Sequence, residues 1–233
     1  MKYFTSDLHL HHPFVAALRG YTKPEYAHLT PDELRNHAKH SRESLATMVD
    51  WQQHDMDVIT HINELVGPAD ELYVLGDLST GGTRSLMGAL EQLDRLRVPR
   101  WRRHLILGNH DLDQSTNMCR RMMDTFSGVC VKGATVIDGY NILLSHFQFR
   151  HHFEAPTPSG LSTNACDPKY AKYAFVDECH GGSLLLHGHT HAKERFEFDN
   201  PRELNIGVDA WNMRPVSEEQ VIEEFSNAYG VGK

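Results

Sequence analysis

No apolar run in the sequence is long enough to cross a bilayer, and it does not open on the basic-then-apolar pattern of a secretory signal. The expectation is therefore a cytoplasmic protein with no membrane partner. Cysteine is scarce: Cys119, Cys130, Cys166 and Cys179 form neither a C-x-x-C pair nor an evenly spaced framework, so they read as reduced thiols. Positive charge is also short, with 23 Lys and Arg against 31 Asp and Glu, and the net charge of −8 speaks against tight binding to a duplex nucleic-acid backbone. Repeats, linkers and shifts of composition are lacking too. The chain reads as one domain over 1–233, with excursions at about 22–53 and 147–182. What it has in excess is histidine, 17 of 233 residues scattered along the chain.

Apolar runs alternate with helical patterns. Lys2–Ser6, Glu71–Leu75, His104–Leu107, Ala134–Ile137, Tyr140–Ser145, Leu184–Leu186 and Glu203–Gly207 read as strands. Asp138-Gly139 marks a tight hairpin turn between two of them. Helices are expected over about 14–20, 31–66, 86–96, 115–126, 167–178 and from Ser217 onward. Thr30, Pro31 and Glu33 supply a capping box with proline in the first turn. The 31–66 pattern is long for one helix, so a break is expected near Gln52–Asp55. Alternating strands and helices predict an α/β sandwich with its site at the carboxyl ends of the strands.

Those ends carry the polar clusters. Asp7 and His9 follow the first strand, Asp77 the second, Asn109 and His110 the third, His146 the second hairpin arm, and His189 and His191 the Leu184–Leu186 run. One such residue alone is as well explained as a turn former or a helix cap. Five coincident strand ends are not. Carboxylate, carboxamide and imidazole donors without thiolate suit Mn²⁺, Fe or Zn²⁺. Seven donors exceed what one ion needs, so two ions sharing a carboxylate is the economical reading, roughly 3.5–4 Å apart.

These clusters resemble the motifs of the calcineurin-like metallophosphoesterases, D-x-H, G-D, G-N-H-[DE], H and G-H-x-H in that order: Asp7-Leu8-His9, Gly76-Asp77, Gly108-Asn109-His110-Asp111, His146 and Gly188-His189-Thr190-His191. The resemblance implies two packed β-sheets flanked by helices, a four-layer αββα sandwich. It also implies a metal set: Asp7, His9 and His191 on one ion, Asn109, His146 and His189 on the other, and Asp77 between them. Mn²⁺ is the first choice of cofactor, with Fe, Zn²⁺ or Ni²⁺ as alternatives. A hydroxide held between the ions would attack phosphorus, and His110, the family's non-ligand histidine, would protonate the leaving oxygen. No Asp-Arg follows Gly76-Asp77 and no ligand tyrosine comes shortly after it, which disfavours the protein Ser/Thr phosphatases and the purple acid phosphatases. Tyr3–His12, Asn63–Asp77, Leu185–His191 and Asn205–Trp211 are similar to small bacterial and mycobacteriophage members, some of which cleave cyclic nucleotides; a phage-encoded chain would work in the host cytoplasm. The implied activity is a phosphodiesterase acting on small diesters such as cyclic nucleotides. The alternatives are a broad phosphomonoesterase and a metal-dependent nucleotide-binding protein without turnover. Retention of His110 favours the enzyme, since binding alone needs no proton donor. A homodimer is a possible assembly.

Residues around the motifs have second readings. Asp111 could orient His110 as part of the catalytic set, or simply cap a turn. His12, Arg150 and His151 are candidate substrate contacts, and Phe149 and Phe153 could stack a base. His187 reads as a buried histidine bonded to backbone rather than a ligand. The basic run Arg95–Arg103 precedes its strand and so falls at the far end of the sheet, as a solvated patch with Trp101 packed on the rim. Trp211 either seals the core or stacks a base near the cleft.

Overall fold

Residues 1–153, 166–177, 182–198 and 200–229 are described by the structure, a computed structural model. Four short strands run parallel: β1 (Lys2–Thr5), β2 (Glu71–Val74), β3 (Arg103–Ile106) and β4 (Gly128–Cys130). The antiparallel β9 (Val216–Ser217) closes the other edge, giving the order β4-β3-β2-β1-β9. A second sheet, ordered β5-β6-β7-β8, is built from β5 (Lys132–Ile137), β6 (Tyr140–Ser145), β7 (Leu184–His187) and β8 (Glu203–Asn205). In it only the β5–β6 hairpin is antiparallel. The hairpin turns at Asp138 and Gly139, both at positive φ (48° and 81°), as a two-residue primed turn demands.

The two sheets face each other across Phe4, Leu75, Ile106, Ile142, Leu144, Leu184, Leu186 and Leu204. The outer face of the first sheet is covered by α4 (Trp51–Leu65), α5 (Thr83–Leu93) and α6 (Thr116–Thr125), through Val58, Ile62, Leu86, Leu90, Leu93, Met118 and Met122. Helix α7 (Glu218–Tyr229) inserts Val221 and Phe225 at the edge of the inter-sheet core. This is the expected class, two mixed sheets flanked by helices. Its fourth layer differs: among the described residues, the outer face of the second sheet at Leu143 and Leu185 is covered by Phe149 and Phe175, from segments that form only 3₁₀ turns at Arg150–Phe153 and Pro168–Tyr173. The helix expected over 167–178 is this short second turn, and its last residue lies outside the described ones. Among the described residues no helix is long and apolar enough to cross a membrane.

The 31–66 pattern breaks twice, and not where expected. It divides into α2 (Pro31–His40), α3 (Arg42–Met48) and α4. Polar caps rather than glycine or proline make the breaks: Ser41 is extended and accepts from Ser44 N–H, and Asp50 accepts from Gln53 N–H. Leu34, Leu45 and Val49 then gather with Ala16 and Ala17 into a small separate core. Just before it, α1 (Pro13–Ala16) widens into a π turn over Ala17–Tyr21 that contains Gly20 at φ +91°. A widened turn re-aims its side chains, and this one carries Arg19.

Because β1, β2 and β3 run parallel in one sheet and β6 and β7 in the other, their carboxyl ends emerge along one rim. A backbone bond ties the two rims together, Val208 N–H after β8 donating to Ser6 C=O after β1.

Candidate metal centre

The loops after the strands meet with no room to spare. A Cβ on Gly188 would stand 2.1 Å from Ser6 Oγ and 2.3 Å from Asp7 Oδ2. One on Gly76, which also sits at φ +90°, would stand 2.5 Å from Gly108 N. The glycine in each motif is therefore what lets three loops from two sheets close on one point. Asp7, His9, Asp77, His189 and His191 all have left-handed backbone, with φ between 46° and 74°. Non-glycine residues adopt it only where surroundings impose it, and such strain gathers at functional sites. Here the imposing contacts are Asp7 N–H to Gly76 C=O and His9 N–H to Asp77 C=O, each 3.0 Å.

The side chains converge as the motifs imply. His9 Nε2 lies 3.1 Å from His191 Nε2 and 3.6 Å from Asp77 Oδ2, and His191 Nε2 is 3.9 Å from Asp7 Oδ1. On the other side His146 Nε2 is 3.5 Å from Asp77 Oδ2 and 3.0 Å from Asn109 Oδ1. Donor atoms of Asp7, His9 and His191 lie within 4.8 Å of one another, and so do those of Asp77, His146 and His189. Orientation is set from behind. His146 Nδ1 donates to Leu75 C=O at 2.7 Å; a carbonyl can only accept, so Nε2 is the ring atom turned to the centre. His110 likewise donates from Nδ1 to Thr80 C=O, which leaves its Nε2 4.0 Å from Asp77 Oδ2. The two carboxylates take backbone donors as well, Asp7 from His189 N–H and Asp77 from His110 N–H.

Electrostatics asks for cations here. Asp7 and Asp77 are buried, and among the described residues their ion pairs are with histidines only. Burial, then the nearby His191, holds His9 well below the ordinary imidazole range, so it is a neutral lone-pair donor. Burial would also depress His146, but the Asp77 charge outweighs it and raises His146 to about 9. That proton stands where a cation would, and a bound cation removes the need for it. Donor set, burial and missing counter-charge all fit a pair of divalent ions.

Several supporting residues were not evident from the motifs. Asp209 accepts from His191 Nδ1 at 2.9 Å, the carboxylate–histidine arrangement that orients metal ligands. Arg19 grips the same carboxylate with both Nε (2.8 Å) and Nη2 (2.7 Å), and donates to the carbonyls of Asp7 and Leu8. The π turn thus braces the first ligand loop and the His191 support at once. Asp111 proves to be a brace as well. Its carboxylate accepts from Asp77 N–H (2.7 Å), Gly108 N–H (3.0 Å) and Leu78 N–H (3.2 Å), tying the second and third ligand loops together. It does not orient His110, whose Nδ1 partner is Thr80; the expected catalytic role is corrected to positioning.

The flanking residues divide. His12 caps α1, accepting from Val15 N–H at Nδ1, and its ring stands 5.0 Å from that of His9 and 6.2 Å from that of His110, beside the centre. Arg150 donates to Ala171 C=O, and His151 lies out with His152 and Glu203, so neither is placed at the centre. Phe149 and Phe153 are buried and cannot stack a base. Tyr170 is the aromatic ring beside the ligands instead: half-buried, it stacks on Phe147 at 5.2 Å and stands edge-on to His189 at 5.5 Å. His187 is buried with Nδ1 on the Gly188 carbonyl, as expected. Trp211 seals the core, its indole N–H on Asn205 C=O. Trp101 is 74% exposed rather than packed on the rim, and Arg103 is buried, donating to Val98 and Leu96 carbonyls, because its strand begins there.

Comparison with known proteins agrees with this geometry. The Gene 66 protein of Mycobacterium phage D29 is 30% identical over 222 residues, which cover 90% of this chain and 88% of that protein. The Gene 66 protein of Mycobacterium phage L5 is 25% identical over 234 residues, covering 95% and 92%. A crystal structure of a protein of unknown function from Aquifex aeolicus shares the fold at a TM-score of 0.60 and 19% identity, covering 96% of this chain and 98% of that one. The family model for calcineurin-like phosphoesterases matches residues 3–222, a span that includes every ligand loop, and the chain belongs to that family.

Proposed function

We propose that the protein is a dinuclear-metal phosphodiesterase acting on small diesters, cyclic nucleotides included. The observation that carries this reading is the pair of donor clusters, Asp7 with His9 and His191 and Asp77 with His146 and His189, buried except for His191, with His110 Nε2 4.0 Å from Asp77 Oδ2 beside them. Asp7, His9 and His191 would hold one ion, Asn109, His146 and His189 the other, and Asp77 would reach both. Divalent ions bound there, Mn²⁺ first among the candidates, supply Lewis-acid polarisation of the phosphoryl oxygens and an acidified water. The chain's own work is orientation and proton delivery. Asp209 and Arg19 hold the His191 ring, the Leu75 carbonyl holds His146, and Asp111 holds the Asp77 loop. With Nδ1 on Thr80 C=O, His110 has Nε2 to hand a proton to the departing oxygen, and its side chain is 36% exposed, open to reprotonation from solvent.

Diesters are favoured over monoesters by charge. Among the described residues, Arg19, the guanidinium nearest the ligand loops, is occupied by Asp209 and two carbonyls, so no arginine is left at the centre to meet the second charge of a monoester. A diester carries one charge, which two divalent ions offset. Tyr170 beside His189 adds a ring on which a base can stack. The test compares kcat/KM for bis-nitrophenyl phosphate and 2′,3′-cyclic nucleotides with that for nitrophenyl phosphate, at one pH with Mn²⁺. Diesters should win. A tenfold advantage for the monoester, about 1.4 kcal/mol of transition-state preference, would replace this reading with a monoesterase.

A further inference from the structure

A second group of metal-binding side chains lies outside the centre, along the far edge of the second sheet. Glu203 opens β8 opposite Leu185, and is 1% exposed. Its Oε1 accepts from Asn200 Nδ2 at 2.8 Å and meets His152 Nε2 at 2.9 Å; its Oε2 is buried with no hydrogen-bond partner among the described residues. A buried carboxylate oxygen with nothing to bind is costly. Arg202, next in the chain, donates to Asp177 at 2.7 Å.

His151 and His152 are neighbours on the 3₁₀ turn Arg150–Phe153, where successive side chains diverge by about a third of a turn. Their rings nevertheless approach to 3.9 Å between centroids, and donor atoms of His151, His152 and Glu203 all lie within 4.8 Å of one another. Phe198 stacks on His152 at 3.9 Å and walls one side. Beyond it stands His187, fully buried, with Nε2 likewise unpartnered among the described residues.

We propose that His151, His152 and Glu203 form a further divalent-cation site, separate from the paired centre and suited to Zn²⁺. Two imidazoles and a carboxylate are a set that Zn²⁺ accepts with a water in the fourth position. The ion satisfies the idle Glu203 oxygen and clamps the Arg150–Phe153 turn to the edge strand. That turn leads out of β6 and its metal ligand His146, so the clamp steadies one wall of the centre. The competing account is a plain imidazole–carboxylate hydrogen bond between His152 and Glu203, which needs no metal and leaves His151 idle.

The test is metal counting on the full chain, stripped with chelator and equilibrated with buffered free Zn²⁺, read by atomic emission and by calorimetric titration. Glu203→Gln and, separately, His151→Ala should each bind one Zn²⁺ fewer than the unaltered protein. Asp77→Asn, which disturbs the paired centre, should keep that equivalent, and its thermal midpoint should still rise with Zn²⁺. The exposed His151 can be replaced without touching the core, so His151→Ala decides the matter even where Glu203→Gln folds poorly. Unchanged Zn²⁺ content in His151→Ala, or an equivalent that disappears with Asp77→Asn and not with His151→Ala, overturns the proposal.

Discussion

His110 and Asp209 both touch the centre without being counted among its seven ligands, and single substitutions separate their roles. His110→Ala should leave metal content unchanged and lower turnover by roughly 10²–10⁴-fold. The loss should shrink for nitrophenolate leaving groups, which need little protonation. Equal losses across leaving groups would remove the acid role. Asp209→Asn removes the charge behind His191 and leaves Arg19 facing a neutral amide. The expected result is about 10–100-fold weaker binding of one ion in calorimetric titration, with the other ion unaffected. Glu197 is a pH probe in the metal-free protein. Burial pushes its carboxyl up to about 8 from the ordinary 4.5, against the hydrogen bond from Thr190, and its second oxygen has no partner among the described residues. Between those values the folded state holds a proton that the unfolded chain has lost, so stability falls as pH rises. The contribution is present in full below about 4.5 and lost as pH passes through about 8. Glu197→Gln should flatten that part of the stability–pH curve, and parallel curves for the two proteins would show that the group titrates normally.

Elements reach the site through their ends, so loop ties matter more than helix propensity. Asp111 has no predicted contact with substrate, yet it joins the loops after β2 and β3 with three backbone bonds. Asp111→Asn keeps the volume but turns an N–H toward N–H donors, which should cost roughly 1–3 kcal/mol. Urea denaturation with and without metal measures it, and activity should fall with the displaced Asp77 loop. A variant as stable and as active as the parent would contradict the bracing role. The breaks of the 31–66 pattern carry a related lesson. Ser41 and Asp50 stop helices by capping the next one, a signal carried by hydroxyl and carboxylate rather than by glycine or proline.

At the scale of the molecule, Asp7 and Asp77 are buried where the loops of the two sheets meet, and bound divalent ions would balance their charge more fully than histidine protons do. Removing metal leaves Asp7 and Asp77 buried with histidines alone, so chelator should lower the thermal midpoint, and added metal at about a hundred times its Kd should return about 2.7 kcal/mol, roughly 5–10 °C for a chain of this size. A midpoint indifferent to chelator would mean the centre does not bind ions in the folded protein. Differential scanning calorimetry decides it.

The candidate ligand set is legible in the sequence because each donor sits within a few residues of a strand end, where local chemistry is strong: a short apolar run, often a glycine, then a carboxylate, carboxamide or imidazole. That order predicts an α/β sandwich with polar donors at the carboxyl ends of its strands; the two packed sheets and the division of the donors between two ions came from the resemblance to the phosphoesterase motifs. Arg19 and Asp209 were not legible, being 190 residues apart and meeting only after two sheets pack. The same holds for aromatics. Phe149 and Phe153 follow His146 closely in sequence but turn into the core, while Tyr170, more distant, reaches His189. What the sequence by itself determined is which chemistry stands at which strand end, since that is written in consecutive residues. Which side chains support it, and which face the cleft, only the tertiary structure decided, because side-chain direction depends on packing against elements far away along the chain.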